Sequence, residues 1–322
     1  MSYKMPVLFL IFNRPDHTRT VFEAIRRFKP DHLFIAADGP RHDRPDDLLL
    51  CKSARAMVDH VDWDCEVKTL FRGENIGCGK AVSEAITWFF NYVDEGIVLE
   101  DDCLPNESFF NLCACLLERY RFEDQVMHIG GAYFHNQSSR IKSSYYFSNY
   151  IHIWGWATWK RAWSKYQYNI DLNQDFLNTL KIKFPDTKEY NFWKNSFSEM
   201  ANHSIDTWDI QWSYSIYKNN GIGITPACNL ISNIGFGAGA THTLGHDAKT
   251  AALPLGSIDT IRHLSKIRIS KWTDKKTFKK LYQFGNTRFN SIKFIIGQKI
   301  PIIKVAYNKL LKAVKHFSSS QK

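Results

Sequence analysis

The sequence predicts an α/β fold with a mostly parallel central sheet, helices on both faces, and basic amphipathic helices at the C-terminal end. Three observations carry this. Short apolar runs alternate with helix-period segments through the first 130 residues. Four of those runs stop at polar, turn-forming residues: Asn13-Arg14, Asp38-Gly39, Arg72-Gly73-Glu74-Asn75 and Glu100-Asp101-Asp102. From Lys266 onward the chain holds 15 Lys+Arg and one acid, Asp274, whereas residues 1–265 hold 27 bases and 31 acids. The overall charge of +10 therefore belongs to the end of the chain, which weighs against a nucleic-acid partner for the body.

Taken in order, Val7–Phe12 reads as a strand buried on both faces. A helix comes next and runs to about Phe28, with Asp16 as its expected N-cap and Val21, Ala24, Ile25 and Phe28 at helical spacing. Leu33–Ala37 is a second strand and Asp46–His60 a helix. Glu66–Phe71 is a third strand, and Gly77-Cys78-Gly79-Lys80 opens a helix to about Tyr92. Gly96–Leu99 is a fourth strand, Glu107–Tyr120 a helix and Val126–Ile129 a strand. Strands alternating with helices of this length build a parallel sheet, and ligands bind outside the carboxyl ends of such strands. Residues 131–245 are aromatic-rich, with seven of the ten tryptophans between Trp154 and Trp212. Trp156, Trp159 and Trp163 share a helical face on this reading, with core packing as the alternative to sugar stacking. Asp206 to Tyr217 begins and continues a helix, and Gly235–Gly245 is a glycine-rich loop. The expected domains are 1–245, divided at 130 into two halves, and a linker and basic helical tail over 246–322.

The seven cysteines lack a CxxC pair, and Cys113-Ala114-Cys115 is too little for a zinc site. Reduced, mostly buried thiols in a cytoplasmic protein are expected. No run approaches the length that spans a bilayer, and the first residues do not read as a secretory signal.

Three adjacent acids after a buried strand repel one another, and a hard divalent ion, Mn²⁺ or Mg²⁺, would relieve that. The alternative is a solvated acidic turn. At this point the sequence resembles a family. Leu99-Glu100-Asp101-Asp102-Cys103-Leu104-Pro105, succeeded by Ser108-Phe109-Phe110, is similar to the metal-binding segment of glycosyltransferases of the GT-A fold. Family 2 enzymes and the N-acetylglucosaminyltransferase I group are the nearest in kind. Phe12-Asn13-Arg14-Pro15, Ala37-Asp38-Gly39 and Asn75-Ile76-Gly77 with Lys80 fit its nucleotide-binding half. The resemblance covers roughly residues 5–245.

It implies a Rossmann-like catalytic domain and a nucleotide-diphosphate sugar as donor, a UDP-sugar being favoured. Asp102 would be the direct metal ligand, and Glu100 and Asp101 would serve the ribose or orient neighbouring groups. Asp38 would contact base or ribose, with Asn13, Arg14, Arg72, Asn75, Gly77 and Lys80 on the nucleotide side. Gly77 and Gly79 would let the backbone approach a ligand, although a Gly-x-Gly also makes a simple turn. His242, in the glycine-rich loop, would add a metal or phosphate contact. Asp209, 107 residues after Asp102, would be the general base of an inverting transfer, with Asp206 as runner-up. Asp206 also suits an N-cap. Trp154 and Trp156 are expected as exposed indoles near a sugar.

The acceptor would be a glycan or a lipid-linked oligosaccharide. Basic faces bearing Lys275, Lys279, Lys304, Lys312 and Lys315 suit an anionic membrane surface, placing the protein peripherally on the inner face of the membrane. A sugar-nucleotide nucleotidyltransferase is a second reading, though Asn13-Arg14-Pro15-Asp16 lacks the glycine-rich phosphate loop such enzymes need. A non-catalytic glycan-binding protein is a third.

Overall fold

The computed structural model describes residues 5–135, 141–202, 205–235 and 253–282. The chain begins β1 (Val7–Ile11), α1 (Pro15–Phe28), β2 (His32–Ala37) and α2 (Asp47–Arg55), the last continued by a 3₁₀ turn over Ala56–His60. Then come β3 (Glu66–Phe71), α3 (Cys78–Phe89), β4 (Glu95–Glu100), β5 (Cys103–Pro105), α4 (Glu107–Arg119) and β6 (Val126–Gly130). These match the expected elements to within a few residues at most ends. Asp16 is not the N-cap expected of it: Pro15 takes the first helical position, and Asp16 lies in the first turn, where an acid suits the helix dipole.

The second half holds β7 (Tyr145–Ser148), β8 (Trp156–Trp159), α5 (Lys160–Trp163), α6 (Gln174–Lys183), α7 (Thr187–Ala201), α8 (Asp209–Lys218), β9 (Ile222–Pro226), β10 (Ile231–Asn233) and α9 (Lys271–Thr277). The fold is α/β. One eight-stranded sheet runs in the order β3-β2-β1-β4-β8-β6-β9-β7. The first four strands are mutually parallel, as are β6 and β9; β8 and β7 run antiparallel to their neighbours. A second, two-stranded sheet pairs β10 with β5, setting Asn233 opposite Cys103.

Helices flank the large sheet. α3 lies on β1 and β2, where Phe89 packs edge-on to Phe34. α4 covers β4, β6 and β8 and stacks Phe110 on Phe28 of α1 at 4.2 Å. The tryptophan-rich stretch differs from expectation. Trp156 and Trp159 lie in strand β8, and only Trp163 belongs to the helical turn after it. Trp156 is fully buried, stacked between His128 (5.2 Å) and Trp208 (5.6 Å). Burial pushes His128 down to about 3, so it is neutral. Trp212 Nε1 donates to its Nδ1 at 3.3 Å, which leaves Nε2 to donate to the His152 carbonyl at 3.0 Å.

Residues 253–282, placed by sequence in the linker and tail, pack on the body. Gly256 N donates to the Asn229 carbonyl and Arg262 N to Ser144 Oγ, each at 2.8 Å. Ile269 bridges to Phe147. Phe278, Leu281 and Tyr282 are buried in the main core, so the apolar face of this part meets the protein itself. Residues 283–322, with the rest of the expected basic face, lie outside the described residues. Among those described, no helix is long and apolar enough to cross a membrane.

Asp274, the acid of the basic segment, anchors α9. It accepts from Ser148 Oγ at 2.6 Å and from Asn149 N at 3.0 Å. Burial raises its carboxyl to about 7, aided by Glu189 and opposed by those hydrogen bonds and by Lys183. The folded value lies above the unfolded one, so the folded state holds more protons between about pH 4 and 7, and stability falls as pH rises through that window. Asp274→Asn, which keeps an acceptor, is expected to flatten this fall. Thermal melts of both proteins from pH 4.5 to 8 check it; identical pH slopes would refute it.

Candidate functional site

Parallel pairing of β1 with β2 and β4 sets three strand ends side by side, and the site is built from the residues just beyond those ends. Arg14, after β1, spans the acids after β4. Its Nη2 pairs with Asp101 Oδ1, and its Nη1 donates to Asp102 Oδ2 at 3.1 Å. Burial works against the guanidinium charge, but the two carboxylates overcome it and hold the pKa above its ordinary value. The repulsion within Glu100-Asp101-Asp102 is thus relieved by a resident cation of the protein, a solution that local sequence does not reveal. All three acids are buried.

The small sheet closes over this pair. Ile234 N donates to the Asp102 carbonyl at 2.8 Å, and Gly235 N to Asn233 Oδ1 at 2.9 Å. A Cβ on Gly235 would stand 2.8 Å from Asp102 Oδ2, so a larger residue there would have to displace the carboxylate. His17 of α1 bonds through Nε2 to the Ile234 carbonyl at 3.0 Å. Neither His17 nor Asn233 stands out in the sequence. His17 acts across 217 residues of sequence, a contact that leaves no local pattern. The glycine-rich loop beyond Gly235, with His242, lies outside the described residues.

Asp38, after β2, locks a second loop. Its oxygens accept from Gly39 N at 2.9 Å, Ile76 N at 3.1 Å and Gly77 N at 3.2 Å. Burial raises its carboxyl and these bonds lower it, with burial ahead. Asn75 Nδ2 donates to the Gly39 carbonyl at 2.9 Å, and Arg55 Nη2 bridges the carbonyls of Asp38 (2.9 Å) and Arg72 (2.7 Å). Asp38 and Asn75 therefore shape this part of the edge through backbone contacts. Asn13 is tied differently: its Nδ2 donates to Asp47 Oδ1 at 2.7 Å, and Arg41 Nη2 donates to the same oxygen at 2.9 Å. Arg72 pairs with Glu84 at 2.8 Å, and Lys80 stands exposed on α3.

The helix start at Gly77-Cys78-Gly79 has the sequence of an anion site for a ligand. It holds instead the Asp206 carboxylate, which accepts from Cys78 N at 2.7 Å and Gly79 N at 2.8 Å. Asp206 caps α3, not its own helix. Asp209 opens α8, buried, and accepts from Thr207 Oγ1. α8 leads into the start of β9, and β9 runs in the direction of β4, so the first turn of α8 lies toward the edge that carries Asp38 and Asp102.

Trp154 and Trp156 do not present exposed faces: they are 8% and 0% accessible. Trp154 packs edge-on to Phe134 at 5.0 Å. Apolar burial among other rings wins over exposure for both. Truncating so buried an indole costs about 3–5 kcal/mol, so lost activity in Trp156→Ala would report unfolding.

Among the described residues, no three His, Cys, Asp or Glu side chains converge to cage a metal ion. The oxygen donors suit a hard divalent cation only in the sparse manner of Mg²⁺, which takes one or two carboxylates and completes its shell with ligand phosphates and water. Asp102 would hold it.

No family model matches the chain, and no curated protein matches it in sequence. Solved structures to which part of the chain is weakly similar include HddC from Yersinia pseudotuberculosis, 11% identical over 49% of this chain and 77% of that one, with a TM-score of 0.30. A UDP-glucose pyrophosphorylase complexed with UDP-glucose is 13% identical over 45% of this chain and 62% of that one, with a TM-score of 0.25. Likenesses this weak carry no argument about activity, and the fold class rests on the strand order and pairing above.

Arg14→Ala leaves two buried carboxylates without their guanidinium. It is expected to destabilise the fold by about 3 kcal/mol, the scale of a broken buried pair. Added Mn²⁺ should recover part of that loss. Chemical denaturation with and without the ion measures both; a neutral substitution would contradict the charge-compensation reading.

Proposed function

We propose that the chain is a metal-dependent glycosyltransferase. It moves a sugar from a nucleotide-diphosphate donor to a hydroxyl of a glycan or lipid-linked acceptor, with inversion. The observation that carries this reading is the arrangement at one sheet edge: the Arg14–Asp101–Asp102 cluster, the Asp38-locked loop, and a buried Asp209 on the segment attached to α3. Asp102 would hold a divalent ion, which when bound would supply Lewis-acid stabilisation of the leaving diphosphate.

The chain's own residues do the rest. The loop held by Asp38 shapes a rigid wall for the nucleoside. Arg14 keeps the Asp102 carboxylate oriented. The chain passing at Gly235 over Asp102 limits water there, and water is the competing acceptor. Asp209 takes the proton from the acceptor hydroxyl as it attacks the sugar carbon opposite the diphosphate.

Calorimetry with a panel of UDP-sugars and Mn²⁺ is the direct test. At least one should bind in a metal-dependent manner, and Asp102→Asn should weaken that binding about tenfold or more. Asp209→Asn should cut transfer by about a hundredfold or more with donor binding intact. Metal-independent or absent donor binding overturns the reading. Turnover of UTP with a sugar 1-phosphate would instead make the chain a nucleotidyltransferase, and donor or glycan binding without transfer would make it a binding protein.

The lysine-rich residues 283–322 complete the proposal by docking the protein on an anionic membrane surface from the cytoplasmic side. Co-sedimentation with phosphatidylserine vesicles should fall sharply when Lys304, Lys312 and Lys315 are changed to Glu. Equal sedimentation would exclude this role.

A further inference from the structure

The amino terminus of α3 is occupied by a side chain from the other half of the protein. Asp206 takes two first-turn N–H groups on its two oxygens, Cys78 N at 2.7 Å and Gly79 N at 2.8 Å. Such charge-assisted bonds to a helix start are the strong form of a cap. The backbone of the turn is fitted to this carboxylate. A Cβ on Gly77 would lie 2.5 Å from Asp206 Oδ2, and Gly77 has φ +87°. A Cβ on Gly79 would lie 2.7 Å from both Asp206 Oδ1 and the Thr207 carbonyl oxygen, and 2.9 Å from the Tyr168 hydroxyl. The glycines that look like a ligand-binding turn in the sequence are thus required by the protein's own 206–207 segment.

The next residues carry the contact to Asp209. Thr207 Oγ1 donates to Asp209 Oδ1. Trp208 between them stacks on Trp156, and its carbonyl accepts from the Tyr166 hydroxyl at 3.2 Å. On the other side, the turn before α3 is held by Asp38 through Ile76 N and Gly77 N. A short continuous path therefore runs from the end of β2 through the start of α3 to the carboxylate at the start of α8.

We propose that Asp206 is a positioning residue: it clamps the 206–209 segment to the start of α3 and so sets where the Asp209 carboxylate stands relative to the donor. This rests on the reading of Asp209 as the base of a glycosyl transfer. A clamp of this kind acts on orientation, so it should weigh on turnover more than on donor binding. It also means that the α3 amino terminus is not the diphosphate site, because the Cys78 and Gly79 N–H groups that would face a ligand are already taken by an internal anion.

The test uses the full chain with the substitutions Asp206→Ala, Asp206→Asn and Asp209→Asn, read by transfer kinetics and by exchange of the Cys78 and Gly79 amide protons. Asp206→Ala should lower kcat about tenfold or more with donor KM within about twofold. The Cys78 and Gly79 amides should exchange about tenfold faster. Asp206→Asn, which keeps one acceptor oxygen and is the milder change to the fold, should recover part of both. Unchanged kcat in Asp206→Ala alongside faster exchange makes Asp206 a cap alone and overturns the inference. A lower donor KM overturns it too, since the carboxylate would then have been competing with the donor's phosphates. Transfer that is lost in Asp209→Asn but kept in Asp206→Ala sinks this inference alone; full activity in Asp209→Asn sinks the assignment of the base with it.

Discussion

Parallel pairing of β1 with both β2 and β4 is the constraint on which the site depends. Strands that run together end together, so the residues after β1, β2 and β4 are delivered to one edge of the sheet. That delivery creates an electrostatic problem. Asp38 and the three acids from Glu100 to Asp102 come to the same edge, and Asp101 and Asp102 are buried there. A carboxylate withdrawn from water needs a partner. Arg14 supplies it because β1 and β4 are adjacent, and any exchange of those two strands would separate the charges.

The same logic operates with opposite sign at α3. A helix start bears partial positive charge and unsatisfied N–H groups. Asp206 satisfies two of them from a segment more than a hundred residues away. Both charged features of the edge are therefore compensated internally. Arg14 answers the acids, and Asp206 answers the helix.

Much of the first half could be read from the chain itself. Val7–Ile11, Glu66–Phe71 and Glu107–Arg119 announce themselves by apolar runs or helical spacing, and their bounds agree closely with expectation. The second half misled where composition was dense in aromatics. Trp156, Trp159 and Trp163 fit a helical face, yet the stretch is a strand and then one turn of helix. Tryptophan packs in either geometry, and the partners that decide between them come from elsewhere in the chain: His128 from β6, and Trp208 and Trp212 from the cap and body of α8. The basic segment was open to two readings. Its lysines allowed either a membrane-facing helix or one packed on the body, and over residues 271–282 the second holds: Asp274 bonds Ser148 and Asn149, and Tyr282 enters the core.

By itself, the sequence determined the alternation of elements, the parallel character of the first four strands, and the set of polar residues at their ends. These arise from local periodicity and from turn chemistry, which act over a few residues. Only the tertiary structure decided what those residues touch. It paired Arg14 with Asp101 and Asp102, put Asp206 on α3, turned Asp38 toward backbone N–H groups, and buried Trp154 and Trp156. Each outcome balances the cost of removing a charged or polar group from water against a partner distant in sequence. No local pattern encodes such a partner; the packing of the strands and helices does.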